Sequence, residues 1–251
     1  MKKNKTLLII LLFLINYTIN AQSKIEAGKY EDLKNSPKIA IAGGGSLMDW
    51  ANLNLYHERN QALMKVSDPN RVVFIGNSIT ESWHIFDEKF FIDNSFVNRG
   101  IGGQTSPQML LRFRSDVVNL KPKSVVIMAG TNDIARNTGP ITLENTAENI
   151  ISMAEIAMTN NITVYICSTL PAIDFLWSPK IKPAGKIVEL NSMLEKYCNE
   201  NGITYVDYYS SMVDDLGGLK VPEYTAKNDL VHPNLAGYKV MEKIILNSLK
   251  L

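Results

Sequence analysis

Cysteine is nearly absent, with two residues, Cys167 and Cys198, in a chain of 251. They fall on a predicted strand and a predicted helix, where small apolar fillers are expected and a disulfide framework is not. Histidine is equally sparse: the three copies show no His-x-x-x-His spacing and no cluster with acids, so the sequence offers no ligand set for a metal hydrolase. Neither charge sign dominates, at 26 Lys+Arg against 25 Asp+Glu, which leaves no electrostatic footprint for nucleic acid or anionic lipid. Fifteen glycines and ten prolines are ordinary globular usage and exclude collagenous or disordered classes. No apolar run approaches the roughly 20 residues that cross a bilayer. A domain of this size buries most of its apolar surface without staples.

What is present begins with a polarised N-terminus. Lys2, Lys3 and Lys5 precede an apolar run over residues 7–15, the basic-then-apolar order of a secretory signal. The run turns polar at 16–20, and Ala21 supplies the small residue at which a signal peptidase cuts, with Ile19 two positions before it. Export with cleavage near Ala21 is therefore expected, to the periplasm or beyond it, with no stable membrane insertion afterwards. Losing residues 1–21 removes three lysines and no acid, leaving 23 basic against 25 acidic side chains. No cysteine stands beside the cleavage position, so no lipid anchor is predicted.

Residues 22–70 are expected to form an arm and a helix, and 71–251 the main domain. The stretch 22–45 is polar and Gly-rich. Between 48 and 66 the apolar residues Trp50, Leu53, Leu55, Tyr56, Leu63 and Met64 recur at roughly helical spacing, which predicts one amphipathic helix. From Arg71 short apolar runs alternate with amphipathic segments: strands at 72–75, 96–97, 125–129, 163–167 and 204–208, and helices at about 107–120, 143–159, 184–201 and 235–249. The alternation predicts parallel crossover units. Runs of consecutive apolar residues mean strands covered on both faces. The expected architecture is a three-layer α/β/α sandwich around a central five-stranded parallel sheet, with the site in the loops beyond the strands' carboxyl ends.

Four of those loops carry chemistry. The first strand leads to Gly76-Asn77-Ser78-Ile79, where a serine on a tight strand-to-helix turn has an exposed hydroxyl and an outward N–H, but equally suits the cap of the next helix. The second leads to Gly100-Ile101-Gly102-Gly103-Gln104-Thr105, whose glycines leave N–H groups unshielded. No Lys-Ser/Thr follows them at P-loop spacing, and G-x-G-x-x-G is missing after the first strand, so neither a nucleotide nor a dinucleotide site is indicated. The third leads to Gly130-Thr131-Asn132-Asp133, where an amide past a central strand can donate to an oxyanion or simply make a turn. The last segment is Asp229-Leu230-Val231-His232-Pro233-Asn234. A carboxylate three residues before an imidazole can fix its tautomer, and Pro233 suits the first position of the final helix.

In their order and spacing these four segments resemble the blocks of the SGNH hydrolase superfamily, the GDSL-type esterases and lipases, over residues 71–251. The resemblance implies a flavodoxin-like fold and a secreted serine acylhydrolase that needs no cofactor. It makes Ser78 the nucleophile, His232 the general base and Asp229 its orienter, and it groups the N–H of Ser78, the N–H of Gly103 and the amide of Asn132 as oxyanion donors. Two departures stand out: Asn77 replaces the family's Asp, and Gln104 replaces a frequent Asp.

For the substrate, Phe175, Leu176 and Trp177 follow the fourth strand in a loop flanked by Pro171 and Pro179, and Phe175 and Trp177 are expected to wall the cleft or to pack that loop. No long apolar lid is present to shield a lipid-binding patch. Short acyl chains are favoured, with acetyl esters of carbohydrates leading. The alternatives are a lysophospholipase or thioesterase, and a non-catalytic carbohydrate-binding module on an esterase scaffold.

Overall fold

The computed structural model describes residues 44, 46 and 48–249. The expected signal at 1–21 and most of the expected arm at 22–70 lie outside the described residues.

Five strands form one all-parallel sheet: β1 (Val72–Gly76), β2 (Phe96–Gly100), β3 (Ser124–Met128), β4 (Thr163–Cys167) and β5 (Thr204–Val206), in the order β2-β1-β3-β4-β5. Every residue of β1 and β3 is buried, as their unbroken apolar runs require. Strands β4 and β5 begin with exposed residues, and the edge strand β2 has two half-buried residues, Val97 and Asn98. The chain leaves β1 toward one edge of the sheet and returns to β3 on the other side. Beyond their carboxyl ends lies the reversal point at which open α/β sheets bind ligands.

The helices are α1 (His57–Met64), α2 (Ser78–Phe86), α3 (Glu88–Ile92), α4 (Ser106–Asp116), α5 (Thr131–Ile134), α6 (Leu143–Thr159), α7 (Ala184–Asn201), α8 (Tyr209–Met212) and α9 (Leu235–Leu249). One layer packs α4 against α6 and α6 against α7, and the other packs α2 against α9, which completes the three-layer sandwich. Aromatic rings bind the second layer to the sheet: Phe74 of β1 meets Trp83, Phe90, Phe91 and Phe96 edge-on or tilted, and Trp83 stacks on Phe90 at 5.1 Å. Gly100, the last residue of β2, allows α2 to sit close. A Cβ there would lie 2.0 Å from the backbone nitrogen of Glu81.

One expectation fails at the N-terminal side. The segment 48–66 is mostly turns, helical only over His57–Met64, with Leu53, Leu55 and Met64 exposed. It docks through polar groups instead: the Tyr56 hydroxyl donates to the Gly100 carbonyl, and Asn60 donates to Asp116 at 2.6 Å. Helical spacing of apolar residues misled because only Ala51, Tyr56 and Leu63 pack inward and hydrogen bonds supply the remaining anchors. Cys167 and Cys198 are both free and buried, as expected of fillers, and burial pushes their thiols up to about 12 and 11.

Candidate active site

Ser78 is the first residue of α2. The cap is Asn77, whose Oδ1 accepts the Ile79 N–H at 3.0 Å, so the serine hydroxyl has no capping duty. An Asp at position 77 could accept the same bond, so the departure from the family pattern keeps the turn. The Ser78 N–H has no hydrogen-bond partner among the described residues and opens at the positive end of the helix dipole.

The imidazole of His232 reaches Ser78 from a loop 154 residues on, with Nε2 2.8 Å from Oγ. Its Nδ1 lies 2.8 and 3.0 Å from the two oxygens of Asp229. A carboxylate only accepts, so Nδ1 carries the proton and Nε2 receives the Ser78 O–H. Asp229 is itself held by its own loop, because Oδ1 also accepts the N–H of His232 at 2.9 Å and of Val231 at 3.2 Å. Between acid and base, Leu230 adopts φ of +68°, a left-handed conformation that costs roughly 1–2 kcal/mol for a side-chain-bearing residue. The three donors to Asp229 and the Thr225 hydroxyl donated to the His232 carbonyl at 2.8 Å hold that turn.

The start of α9 differs from expectation. Asn234 provides the cap, its Oδ1 accepting the Gly237 N–H at 3.1 Å, and Pro233 lies ahead of it, outside the helix. The same helix ties back to the serine turn, for Tyr238 donates to the Ile79 carbonyl at 2.8 Å. The residue after Ser78 and the residue six after His232 are therefore clamped together.

In the loop after β2, close to Ser78, Gly102 and Gly103 divide their tasks. The Gly102 N–H donates to Glu81 Oε2 at 2.9 Å and is unavailable, whereas the N–H of Gly103 has no partner among the described residues. Asn132 sits in α5 after Gly130, whose φ of +108° and lack of a Cβ let Leu190 and Thr169 approach. Its Nδ2 donates one proton to the Gln104 carbonyl at 2.9 Å. Ser78, Gly103 and Asn132 thus follow the carboxyl ends of β1, β2 and β3, and Asn132 is tied to the Gly103 segment through the Gln104 carbonyl and Asn137.

The neighbouring acid of the third segment serves the scaffold. Buried Asp133 accepts from the N–H of Ser106 at 2.9 and 3.0 Å and from its hydroxyl at 2.6 Å, fixing the start of α4. Burial outweighs those bonds and pushes its carboxyl up to about 6. Gln104 is also buried scaffold, with Nε2 donating to Ala51 and Oε1 accepting from Arg112 at 2.5 Å. Arg112, fully buried, further donates to the Gly76 carbonyl at 3.0 Å and pairs with Asp116 at 2.9 Å. Burial lowers its pKa, with Asp116 opposing. Arg99 is lowered to about 10 by the same cause and still carries its charge at neutral pH.

The loop after β4 separates the two aromatic residues expected at the cleft. Phe175 is fully buried and packs the loop, whereas Trp177 is half exposed and stacks on it at 5.0 Å. The Trp177 Nε1–H donates to Asn137 Oδ1 at 3.0 Å, and Asn137 Nδ2 donates to Asn132 Oδ1 at 3.0 Å and to the Gly103 carbonyl at 3.3 Å. Asn137 did not emerge from the sequence, where an amide in a polar loop looks like any turn residue. Among the described residues no group of three or more His, Cys, Asp or Glu is arranged to hold a metal, and no helix is long and apolar enough to cross a membrane.

A parallel α/β sheet with this Ser–His–Asp chain at its carboxyl edge defines the class, an ester-hydrolysing fold. Residues 74–240 match the model of the GDSL-like lipase/acylhydrolase family, and the chain belongs to that family. Among solved structures, a Bacteroides fragilis protein considered an acylhydrolase is 50% identical, with TM-score 0.76 over 80% of this chain and 97% of that one. A GDSL-like lipase of Bacteroides thetaiotaomicron is 46% identical, with TM-score 0.75 over 80% and 98%. An acetylxylan esterase of Geobacillus stearothermophilus, in a catalytic-mutant form, shares the fold at 19% identity and TM-score 0.59 over 74% and 96%. The uncharacterized lipoprotein YqeF of Bacillus subtilis is 36% identical over 81 residues, 31% of this chain. The match spans only 33% of that relative's length.

Proposed function

We propose that the protein is an exported serine esterase that cleaves short-chain acyl esters, with acetyl groups on carbohydrates as its substrates. The observation that carries the chemistry is the unbroken hydrogen-bond chain from Ser78 Oγ through His232 to Asp229, at 2.8 Å per link. Ser78 Oγ attacks the ester carbonyl as His232 Nε2 takes its proton, and Asp229 stabilises the resulting imidazolium. The tetrahedral oxyanion receives the N–H of Ser78, the N–H of Gly103 and the second amide proton of Asn132. His232 then protonates the leaving alcohol. A water activated by the same nitrogen attacks the acyl-serine and releases the acid, restoring the starting state.

Support for a carbohydrate ester comes from the half-exposed indole face of Trp177, held flat by its stack on Phe175 and tethered beside Asn132 by Asn137. Such a surface suits the apolar face of a sugar ring while its polar edge is satisfied. Hydrolysis of acetylated xylan on this same fold, as the name of the Geobacillus protein states, is consistent with it. In this reading residues 1–21 are a cleaved signal, 22–70 an arm and short helix, and 71–251 the catalytic domain. The Bacillus subtilis relative is named as a lipoprotein, and this chain has no cysteine beside Ala21 to carry a lipid.

A panel of aryl esters from acetate to decanoate, run beside acetylated xylan, pectin and sialic acid, tests the proposal. A maximum at acetate with acetate released from a glycan is expected. A maximum at eight carbons or more points to a lipid substrate, and glycan retention without hydrolysis points to a binding module; either refutes it.

A further inference from the structure

An asparagine amide has two ends of opposite character, and an oxyanion donor works only if nitrogen faces the reacting atom. Turned by half a rotation, Asn132 would present a lone pair to a developing negative charge. Two features of the described structure bear on which way it faces. The Gln104 carbonyl can only accept, and it holds Asn132 Nδ2 at 2.9 Å. On the other side the polarity is set by a longer chain. An indole N–H can only donate, so Trp177 requires the oxygen of Asn137, which turns the Asn137 nitrogen toward Asn132 and requires the oxygen of Asn132 there. The Asn137 nitrogen also spans to the Gly103 carbonyl at 3.3 Å, tying down the residue whose N–H is the other loop-borne donor. Its backbone N–H bonds the Asn132 carbonyl at 3.0 Å.

We infer that Asn137 is a positioning residue for the oxyanion hole, and that Trp177, on the substrate-facing loop, sets its orientation. This rests on the reading of Asn132 as an oxyanion donor. Asn137 touches no reacting atom; it acts by holding Asn132 and Gly103 in one geometry. The half-exposed Trp177 makes the substrate wall and the oxyanion hole one hydrogen-bonded unit, so a group pressing on the indole is felt at the catalytic amide.

The test is steady-state hydrolysis of 4-nitrophenyl acetate by the full chain. Asn132→Ala is expected to lose about 10²- to 10³-fold in kcat. Asn137→Ala is expected to lose about 10- to 10²-fold in kcat, the scale of a misplaced catalytic group, with KM nearly unchanged. Asn137→Asp should lose more, since a carboxylate facing Asn132 Oδ1 and the Gly103 carbonyl repels both. Trp177→Phe keeps the ring and removes the N–H, and should lower kcat about 3- to 10-fold without raising KM. On an Asn132→Ala background, Asn137→Ala should cost little more in kcat, because the group it positions is gone. The inference is overturned if Asn137→Ala and Trp177→Phe keep wild-type kcat while Asn132→Ala does not. Equal fractional losses from Asn137→Ala in both backgrounds overturn it too, since they mark a general structural role. Wild-type kcat in Asn132→Ala would remove the oxyanion reading and this inference together.

Discussion

Replacing Arg112 by Met tests how the scaffold holds the serine turn. Its guanidinium is fully buried and serves three acceptors: Asp116 at 2.9 Å, the Gly76 carbonyl at 3.0 Å and Gln104 Oε1 at 2.5 Å. Methionine fills much of the volume and supplies no donor. Asp116, also buried, would keep two neutral hydrogen-bond partners, Asn60 and the Ser115 hydroxyl, and the charge of Arg99 beyond Asn60. A buried carboxylate that loses its hydrogen-bonded cation costs about 3–5 kcal/mol, and the orphaned Gln104 Oε1 about 1 kcal/mol, while the Gly76 carbonyl keeps the Ile101 N–H at 3.1 Å. Against a total stability of about 5–15 kcal/mol the loss is large. At roughly 2–4 °C per kcal/mol for a chain of this size, a loss of about 4 kcal/mol lowers Tm by roughly 8–16 °C. Urea unfolding should show a lower midpoint at unchanged slope. The double variant Arg112→Met with Asp116→Leu, which removes the stranded charge, should lose at least about 2 kcal/mol less than the sum of the two single changes. A cost below about 1 kcal/mol for Arg112→Met, or strict additivity, would refute the reasoning.

Two further outcomes follow from the same contacts. Burial raises the folded-state pKa of Asp133 from 3.8 to about 6, so the folded protein binds its proton more tightly than the unfolded chain does. That contribution is complete below pH 4 and is lost as pH rises through 6, by up to about 3 kcal/mol at 1.36 kcal/mol per unit. Urea titrations at pH 4 and 7 should therefore show wild type losing stability across this window relative to Asp133→Asn, and parallel curves would contradict the burial argument. Asp229→Asn should keep the fold and lose about 10⁴-fold in kcat, because an amide can hold His232 in the tautomer with its proton on Nε2. A loss under tenfold in 4-nitrophenyl acetate turnover would remove Asp229 from the chain of hydrogen bonds.

The parts of this molecule that were legible in its sequence are those whose cause is local. Strands β1 and β3 are buried on both faces, and that burial is written as unbroken apolar runs. Helices α6, α7 and α9 have the bounds that their periodicity implies. The Asp229-to-His232 pair was readable because its partners are three residues apart. Arg112 and Asp116 are four apart on α4 and look like any surface ion pair. Only the packing of α1 and of the loop after β2 makes them a buried anchor. Asn137 was invisible because its meaning comes from Trp177, 40 residues on in the chain. Ser78 read equally as cap or nucleophile, and the structure gives the capping role to Asn77.

The most direct test of the Ser78 assignment is covalent trapping. The protein is treated with a fluorophosphonate, in which attack by a serine oxygen on phosphorus expels fluoride, and the tryptic peptides are weighed. The account predicts a single adduct on Ser78 that forms in step with loss of esterase activity, is missing in Ser78→Ala, and forms far more slowly in His232→Ala. Labelling at a different residue, or esterase activity retained by folded Ser78→Ala, would contradict it.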